Sequence, residues 1–195
     1  LSFNREQETE ADLLGTKLLA DAAYDPHAAY RVWHRLLDEE AAAEVKREKP
    51  GLFSQTHPNS EERADYLEEF VRSRYGEPHA GDTADPALLA ILNRHYLLLM
   101  EDQLDTNRFG RTQELLQRHV QIGVEPALVN FFYGEMYRQR GRDGDIELAI
   151  EAYTSAVSSP NTPPEAHKNL GYLYLKKKDV ANAQAQFRRY LEARP

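Results

Sequence analysis

Two stretches near the end of the chain repeat one another, and the repeat leaves few folds open. Residues 164–195 carry Leu170-Gly171, Tyr174, Ala183 and Phe187 ahead of a closing Pro195. Residues 127–160 carry Tyr133-Gly134, Tyr137, Ala149, Tyr153 and Ala156 in the same order, with extra residues in the turn around Gly141-Arg142-Asp143-Gly144. Small residues at fixed places let two helices cross closely, and the aromatics fill the space between them. A unit of this size cannot bury its apolar face alone, so the repeat predicts stacked helix pairs. Asp85-Pro86 opens a further capped helix, and residues 86–122 read as a degenerate pair with helices near 86–104 and 108–122. Nothing from residue 85 onward alternates in the manner of a strand. The expected fold class is all-α.

The spacing of the last copy resembles the tetratricopeptide pattern, and the preceding copy resembles it with a longer turn. Tyr190 stands where that pattern has a small residue, a departure expected to loosen the local packing. By this resemblance residues 86–195 form a tetratricopeptide-type helical solenoid, with clear copies at 127–160 and 164–195. The first helix of each pair would line a concave groove suited to peptides or partner proteins. The groove-facing candidates are Glu165, Lys168, Tyr172 and Lys176 in the last copy, and Leu128, Phe131, Glu135 and Arg138 in the one before; the bland alternative is that they are simply solvated.

The first part of the chain reads as three helices of a different character. One runs from about Asn4 to Ala22. Asp25 then caps a second, with Pro26 in its first position and an apolar stripe of Ala29, Val32, Trp33, Leu36 and Leu37. Its later portion, up to Lys49, is nearly all charged or alanine and is expected to project into solvent. Asn59 can cap a third helix, with Glu62 as capping-box partner and Ala64, Leu67, Phe70 and Val71 as its buried face. Gly76, Pro78 and Gly81 then mark a linker. The expected division is 1–75, a linker at 76–85, and 86–195. Charge supports it: of the net −8, residues 1–84 hold 10 Lys or Arg against 18 Asp or Glu, while residues 85–195 hold 14 of each. The absence of a basic stripe argues against a nucleic-acid binder. No cysteine is present, which excludes disulfides and thiolate metal sites. No run is long and apolar enough for a transmembrane helix.

Glu8 and Asp12 stand four apart in the opening segment, and residues four apart share one face of a helix. A buried pair of carboxylates is costly unless something positive sits beside it, and a metal ion is one such thing. The alternative is that acids favour the first turn of a helix, where the macrodipole stabilises them. Spacing alone does not decide between them.

The string Arg5-Glu6-Gln7-Glu8-Thr9-Glu10-Ala11-Asp12-Leu13-Leu14-Gly15 resembles the third-ligand segment of the HtpX-like and BepA-like zinc metallopeptidases (peptidase family M forty-eight, gluzincins). Ala23-Tyr24-Asp25-Pro26 resembles that family's Gly-Tyr-Asp-Pro turn, with Ala23 where glycine is usual. Leu52-Phe53-Ser54-Gln55-Thr56-His57-Pro58, with Arg63 and Leu67, resembles its Thr-His-Pro segment. The resemblance implies that Glu8 is a zinc ligand, and that Asp12, one turn on, orients a ligand by hydrogen bonding. Arg63 would neutralise the neighbourhood of Asp12 or Glu8 through a bidentate pair; a plain surface arginine is the alternative. His57 could reach the open zinc position as a self-inhibiting plug, or simply cap or underlie the following helix. The other six histidines form no ligand spacing.

The departure from the family is that no His-Glu-x-x-His occurs in the chain. That motif supplies two ligands and the general base, and catalytic zinc needs three protein ligands. The expectation is therefore the C-terminal part of a zinc endopeptidase of protein quality control, inactive by itself. It comprises the C-terminal helices of a gluzincin domain followed by the repeat module, acting on protein or peptide substrates with a possible partner in the groove. The resemblance also implies a periplasmic location in the bacterial envelope. The rival is a non-enzymatic scaffold that keeps a degenerate protease remnant. A stand-alone helical adaptor would leave the segment from Glu8 to Arg63 unexplained.

Overall fold

The computed structural model describes residues 5–43, 60–78 and 85–194, and among them every regular element is an α-helix. The chain divides into two compact units, Leu1–Gly81 and Asp82–Pro195.

In the first unit, α1 (Arg5–Asp21), α2 (Ala28–Ala42) and α3 (Ser60–Tyr75) pack pairwise around Tyr30, Leu67 and Val71. Ala64, Leu67 and Val71 are fully covered, so the i, i+3, i+4, i+7 spacing of α3 does face the core. The apolar stripe of α2 is split: Ala29, Trp33 and Leu37 are half-buried, with Trp33 packed against the cluster of Tyr30, Leu67 and Val71. Val32 and Leu36 are exposed, and it is Tyr30 and His27 that point inward. Of the arm expected to be solvated after Leu37, Asp38, Glu40 and Ala41 are exposed and Glu39 is buried, and residues 44–49 lie outside the described residues. α2 meets α3 through Tyr30 and Trp33 on the apolar side and through the His34–Glu68 pair on the polar side. His34 Nε2 lies 2.9 Å from Glu68 Oε2, and Arg72 Nε donates to Glu68 Oε1 at 2.9 Å.

The turn between α1 and α2 closes the same contact. Tyr24 N donates to the Leu19 carbonyl and Ala23 N to that of Ala20, which terminates α1 with Ala23 in the left-handed region at φ +62°. Asp25 does not sit at the helix cap itself. One tight turn intervenes before Ala28, and the Asp25 carboxylate accepts the His27 N–H at 3.0 Å and Arg31 Nη2 at 2.7 Å. Burial pushes the Asp25 carboxyl up, but these hydrogen bonds outweigh it and hold the group down to about 2. His27 is buried with Nδ1 2.7 Å from Asp25 Oδ1 and Nε2 3.0 Å from the Gly76 carbonyl, so its ring joins the start of α2 to the end of α3.

The second unit contains α4 (Pro86–Asp105), α5 (Phe109–Gln121), α6 (Pro126–Arg140), α7 (Asp145–Val157), α8 (Pro164–Lys176) and α9 (Val180–Ala193). Asp85 caps α4 by accepting the Ala87 N–H at 2.7 Å, with Pro86 in the first turn. Helices adjacent in sequence pack together, and a single core runs from Tyr96 and Met100 through Phe132 and Tyr153 to Leu170 and Leu173.

Two glycines set the closest crossings. A Cβ on Gly134 of α6 would lie 2.6 Å from the Tyr153 ring of α7, and one on Gly171 of α8 would lie 2.7 Å from the Phe187 ring of α9. The longer turn between α6 and α7 is kept tight by buried Asp145, which takes Arg140 Nη2 at 2.6 Å, Arg140 Nε at 3.0 Å and the Arg142 N–H at 2.8 Å. Those hydrogen bonds, the Arg140 guanidinium first, hold the Asp145 carboxyl below its ordinary range. Tyr190 is accommodated at the end of the array, its ring under the Lys168 ammonium at 5.7 Å.

A polar knot crosses three of these helices. Glu135 of α6 is 7% exposed and accepts from Tyr153 Oη of α7 at 2.5 Å, from Asn169 Nδ2 of α8, and from Arg138 one turn along. Arg138 Nε also reaches Tyr153 Oη at 3.3 Å. Burial, and then the Glu135 carboxylate, push the Tyr153 phenol well above its ordinary value.

Two outcomes follow for stability. Tyr153 is fully buried and tied by its hydroxyl, whereas Phe187 is only half-buried, so Gly134→Ala should destabilise the chain by about 1–3 kcal/mol and Gly171→Ala by less. Denaturant unfolding of both variants checks the order. Ala23→Gly should raise stability by about 0.5–1 kcal/mol, because relief of left-handed strain exceeds the added entropy of the unfolded chain; a lower thermal midpoint would contradict this.

Candidate functional site

The face of α1 that carries Glu8 and Asp12 turns toward α2 and α3, and both side chains are mostly covered, at 17% and 15% exposure. Asp12 is gripped from α3. Arg63 donates from Nε to Asp12 Oδ2 at 2.8 Å and from Nη2 to Asp12 Oδ1 at 2.6 Å, the bidentate geometry of a guanidinium on a carboxylate. Tyr66, one turn after Arg63, adds its hydroxyl to Asp12 Oδ2. Glu8 sits one turn before Asp12, and its Oε2 lies 3.7 Å from Arg63 Nη1. A single guanidinium therefore faces both carboxylates.

The surroundings explain why the arginine stays in place. Its central carbon stands 4.0 Å from the centroid of the Trp33 ring of α2, a cation–π contact on a partly covered face. The hydrogen bond to Asp12 raises the affinity of Arg63 for its proton further. Burial, followed by the bond to Asp12, pushes the Tyr66 phenol up to about 12, so it remains a donor at neutral pH. Thr16, one turn beyond Asp12, is buried and donates its hydroxyl back to the Asp12 carbonyl at 2.8 Å.

The structure thus brings Glu8, Asp12 and Arg63 together and adds Tyr66 and Trp33, which the sequence had placed only in a helix and in an apolar stripe. Tyr66 stands three residues after Arg63, hence on the same helical face, and that spacing was the available signal. Both oxygens of Asp12 are engaged by α3, so Asp12 holds Arg63. His57 lies outside the described residues.

The chemistry of the donors can be tested against a metal. Glu8 offers one carboxylate, which suits zinc as a single oxygen ligand. Among the described residues no group of three His, Cys, Asp or Glu could hold an ion. The residues present fit one arm of a centre. A groove of about 530 Å³ beside α1 is lined by Glu6, Glu10, Leu14 and Lys17 among others, on a different face from Glu8 and Asp12.

The groove candidates in the second unit separate into two sets. Phe131 is buried at 6% exposure, edge-on to Phe132 at 5.1 Å and near Tyr153 at 6.1 Å, so its expected role as a partner contact is corrected: α6 is an inner helix and its neighbours cover that face. Glu135 is likewise enclosed in the knot described above. Tyr172 is 58% exposed, braced edge-on by Phe187 at 5.2 Å. Lys168 is half-buried, and Arg138 keeps an exposed edge while holding Glu135.

Comparison with known proteins concerns the first unit alone. The family model described as Peptidase family M48 matches residues 1–71. Over 71 residues the chain is 41% identical to the mitochondrial metalloendopeptidase OMA1 of Schizosaccharomyces pombe, a stretch that is 36% of this chain and 20% of that protein. No solved structure matches. The relative's name also overturns the periplasmic location expected from the resemblance, because the protein matched is a mitochondrial one. The segment that holds Glu8, Asp12 and Arg63 is therefore similar to part of a metallopeptidase of family M48.

Proposed function

We propose that residues 1–71 supply the third protein ligand of a zinc endopeptidase and that the second unit is a tetratricopeptide-type module that holds protein substrate or a partner. The observation that carries the first half is the arrangement of Glu8, Asp12 and Arg63. One carboxylate is locked to the arginine, and the other is left one helical turn away beside the same cation. The match of this stretch to Peptidase family M48 supports the same reading.

In this reading Glu8 binds the ion through its carboxylate. Zinc, when bound, would polarise the peptide carbonyl and lower the pKa of a water molecule. Arg63 sets the approach of Glu8, and Asp12, Tyr66 and Trp33 fix Arg63. Such outer support commonly matters tenfold or more for metal affinity. The remaining two ligands and the base must come from a His-Glu-x-x-His segment outside these 195 residues.

For the second unit, the two glycine–aromatic crossings and the sequential packing of helix pairs support the repeat reading. Tyr172, Lys168 and the exposed edge of Arg138 are the side chains available to a ligand on the first helices of the pairs.

The test uses the polypeptide that contains these residues together with a His-Glu-x-x-His segment. Glu8→Gln should abolish stoichiometric zinc, and Arg63→Met should weaken zinc binding by about tenfold or more while leaving the His-Glu-x-x-His ligands in place. Zinc is read by metal analysis after dialysis and activity by cleavage of an unfolded protein. Full zinc occupancy in Glu8→Gln would sink the proposal. A protein that binds unfolded chains through the repeats but never holds zinc would favour the scaffold reading instead.

A further inference from the structure

The helix α4 has two apolar stripes where one suffices for the core. Leu89, Leu92, Tyr96, Met100 and Leu104 face α5 and α6. On the other side Leu88, Ile91, Leu98 and Leu99 are 62%, 56%, 61% and 50% exposed. Leu88, Ile91 and Leu98 share this face with His95 and Asp102, at alternating steps of three and four, the spacing of a helix that meets another helix. Its apolar members run from Leu88 to Leu99, roughly 16 Å along the helix axis. An apolar strip of that length marks an interaction surface.

The charges on and beside the stripe say which partner fits. Arg94 and His95 lie in the first half of α4, and Glu101, Asp102 and Asp105 lie in the second half. A second copy of the same helix laid antiparallel across a two-fold axis sets the basic half of one against the acidic half of the other, twice. A parallel copy would set like against like. The acidic flank also disfavours an anionic lipid surface, which attracts lysine and arginine. We infer that the outer face of α4 is the contact of an antiparallel two-fold dimer of this chain, with Leu98 close to the axis and Arg94 against Glu101 of the partner subunit. The contact is isologous, so it closes at two copies. This inference is independent of the metallopeptidase reading, since it uses only the second unit.

Sedimentation equilibrium of the full chain, from about 1 to about 100 µM, should show a monomer–dimer equilibrium. Leu98→Glu should raise the dimer dissociation constant by at least about tenfold, because it buries like charges near the axis. Arg94→Glu should raise it roughly two- to fivefold, and adding Glu101→Arg should restore it. All three positions face solvent in the monomer, so the thermal midpoint extrapolated to low concentration should stay near that of the parent chain. The chain has no cysteine, which allows a second readout. Ile91→Cys mixed with Asp102→Cys should give a mixed disulfide, while Ile91→Cys alone should cross-link poorly. A chain that stays monomeric throughout, whether the stripe is bare or covered by another part of the same chain, overturns the inference. So does a dimer that Leu98→Glu leaves intact, or preferential cross-linking of Ile91→Cys to itself.

Discussion

The bidentate pair of Asp12 and Arg63 is the joint on which the first unit depends. It spans two helices that are distant in sequence, and everything of functional interest there hangs from it. Tyr66 completes the coordination of Asp12, Trp33 covers the guanidinium, and Glu8 takes its position from the same cation. Among the described residues the apolar cluster of this unit comprises three buried side chains with five partly buried neighbours. Directional polar contacts add to it in fixing helix positions. Removing Arg63 would strand a covered carboxylate, which is far costlier than losing an exposed ion pair.

The second unit solves the same problem with apolar area and adds polar contacts where helices must keep register. Gly134 and Gly171 permit close approach, and Tyr153 and Phe187 occupy the space gained. Asp145 draws in Arg140 so that a longer turn still delivers α7 in the right place. Both units therefore use carboxylate–guanidinium pairs at helix junctions, one to organise a candidate ligand and the other to absorb an insertion.

What the sequence made legible was local. The helical spacing of Ala64, Leu67 and Val71, the Asp85-Pro86 start and the recurrence of glycine with a later aromatic all act within one helix or one pair. The coming together of Glu8, Asp12 and Arg63 was legible only through resemblance, since 51 residues separate Asp12 from Arg63. The parts that escaped are long-range or polar. His27 meets a carbonyl 49 residues away, and nothing in its neighbourhood announces that. The apolar stripe of α2 shows in its spacing, but which of its members meets α3 does not: Trp33 packs against the Tyr30–Leu67–Val71 cluster, whereas Val32 and Leu36 are exposed. Phe131 was assigned to an open groove because the spacing of one repeat cannot show that the preceding pair covers it.

The knot around Glu135 bears on how far this array can be treated as modular. Its three donors come from α6, α7 and α8, so a single carboxylate serves two successive helix pairs. Trimming the chain after Pro160 would remove Asn169 together with the apolar cover of α8, and would open to water a charge that the second pair is shaped to enclose. The last pair is thus a lid on its predecessor as well as a copy of it, and the two stand or melt together.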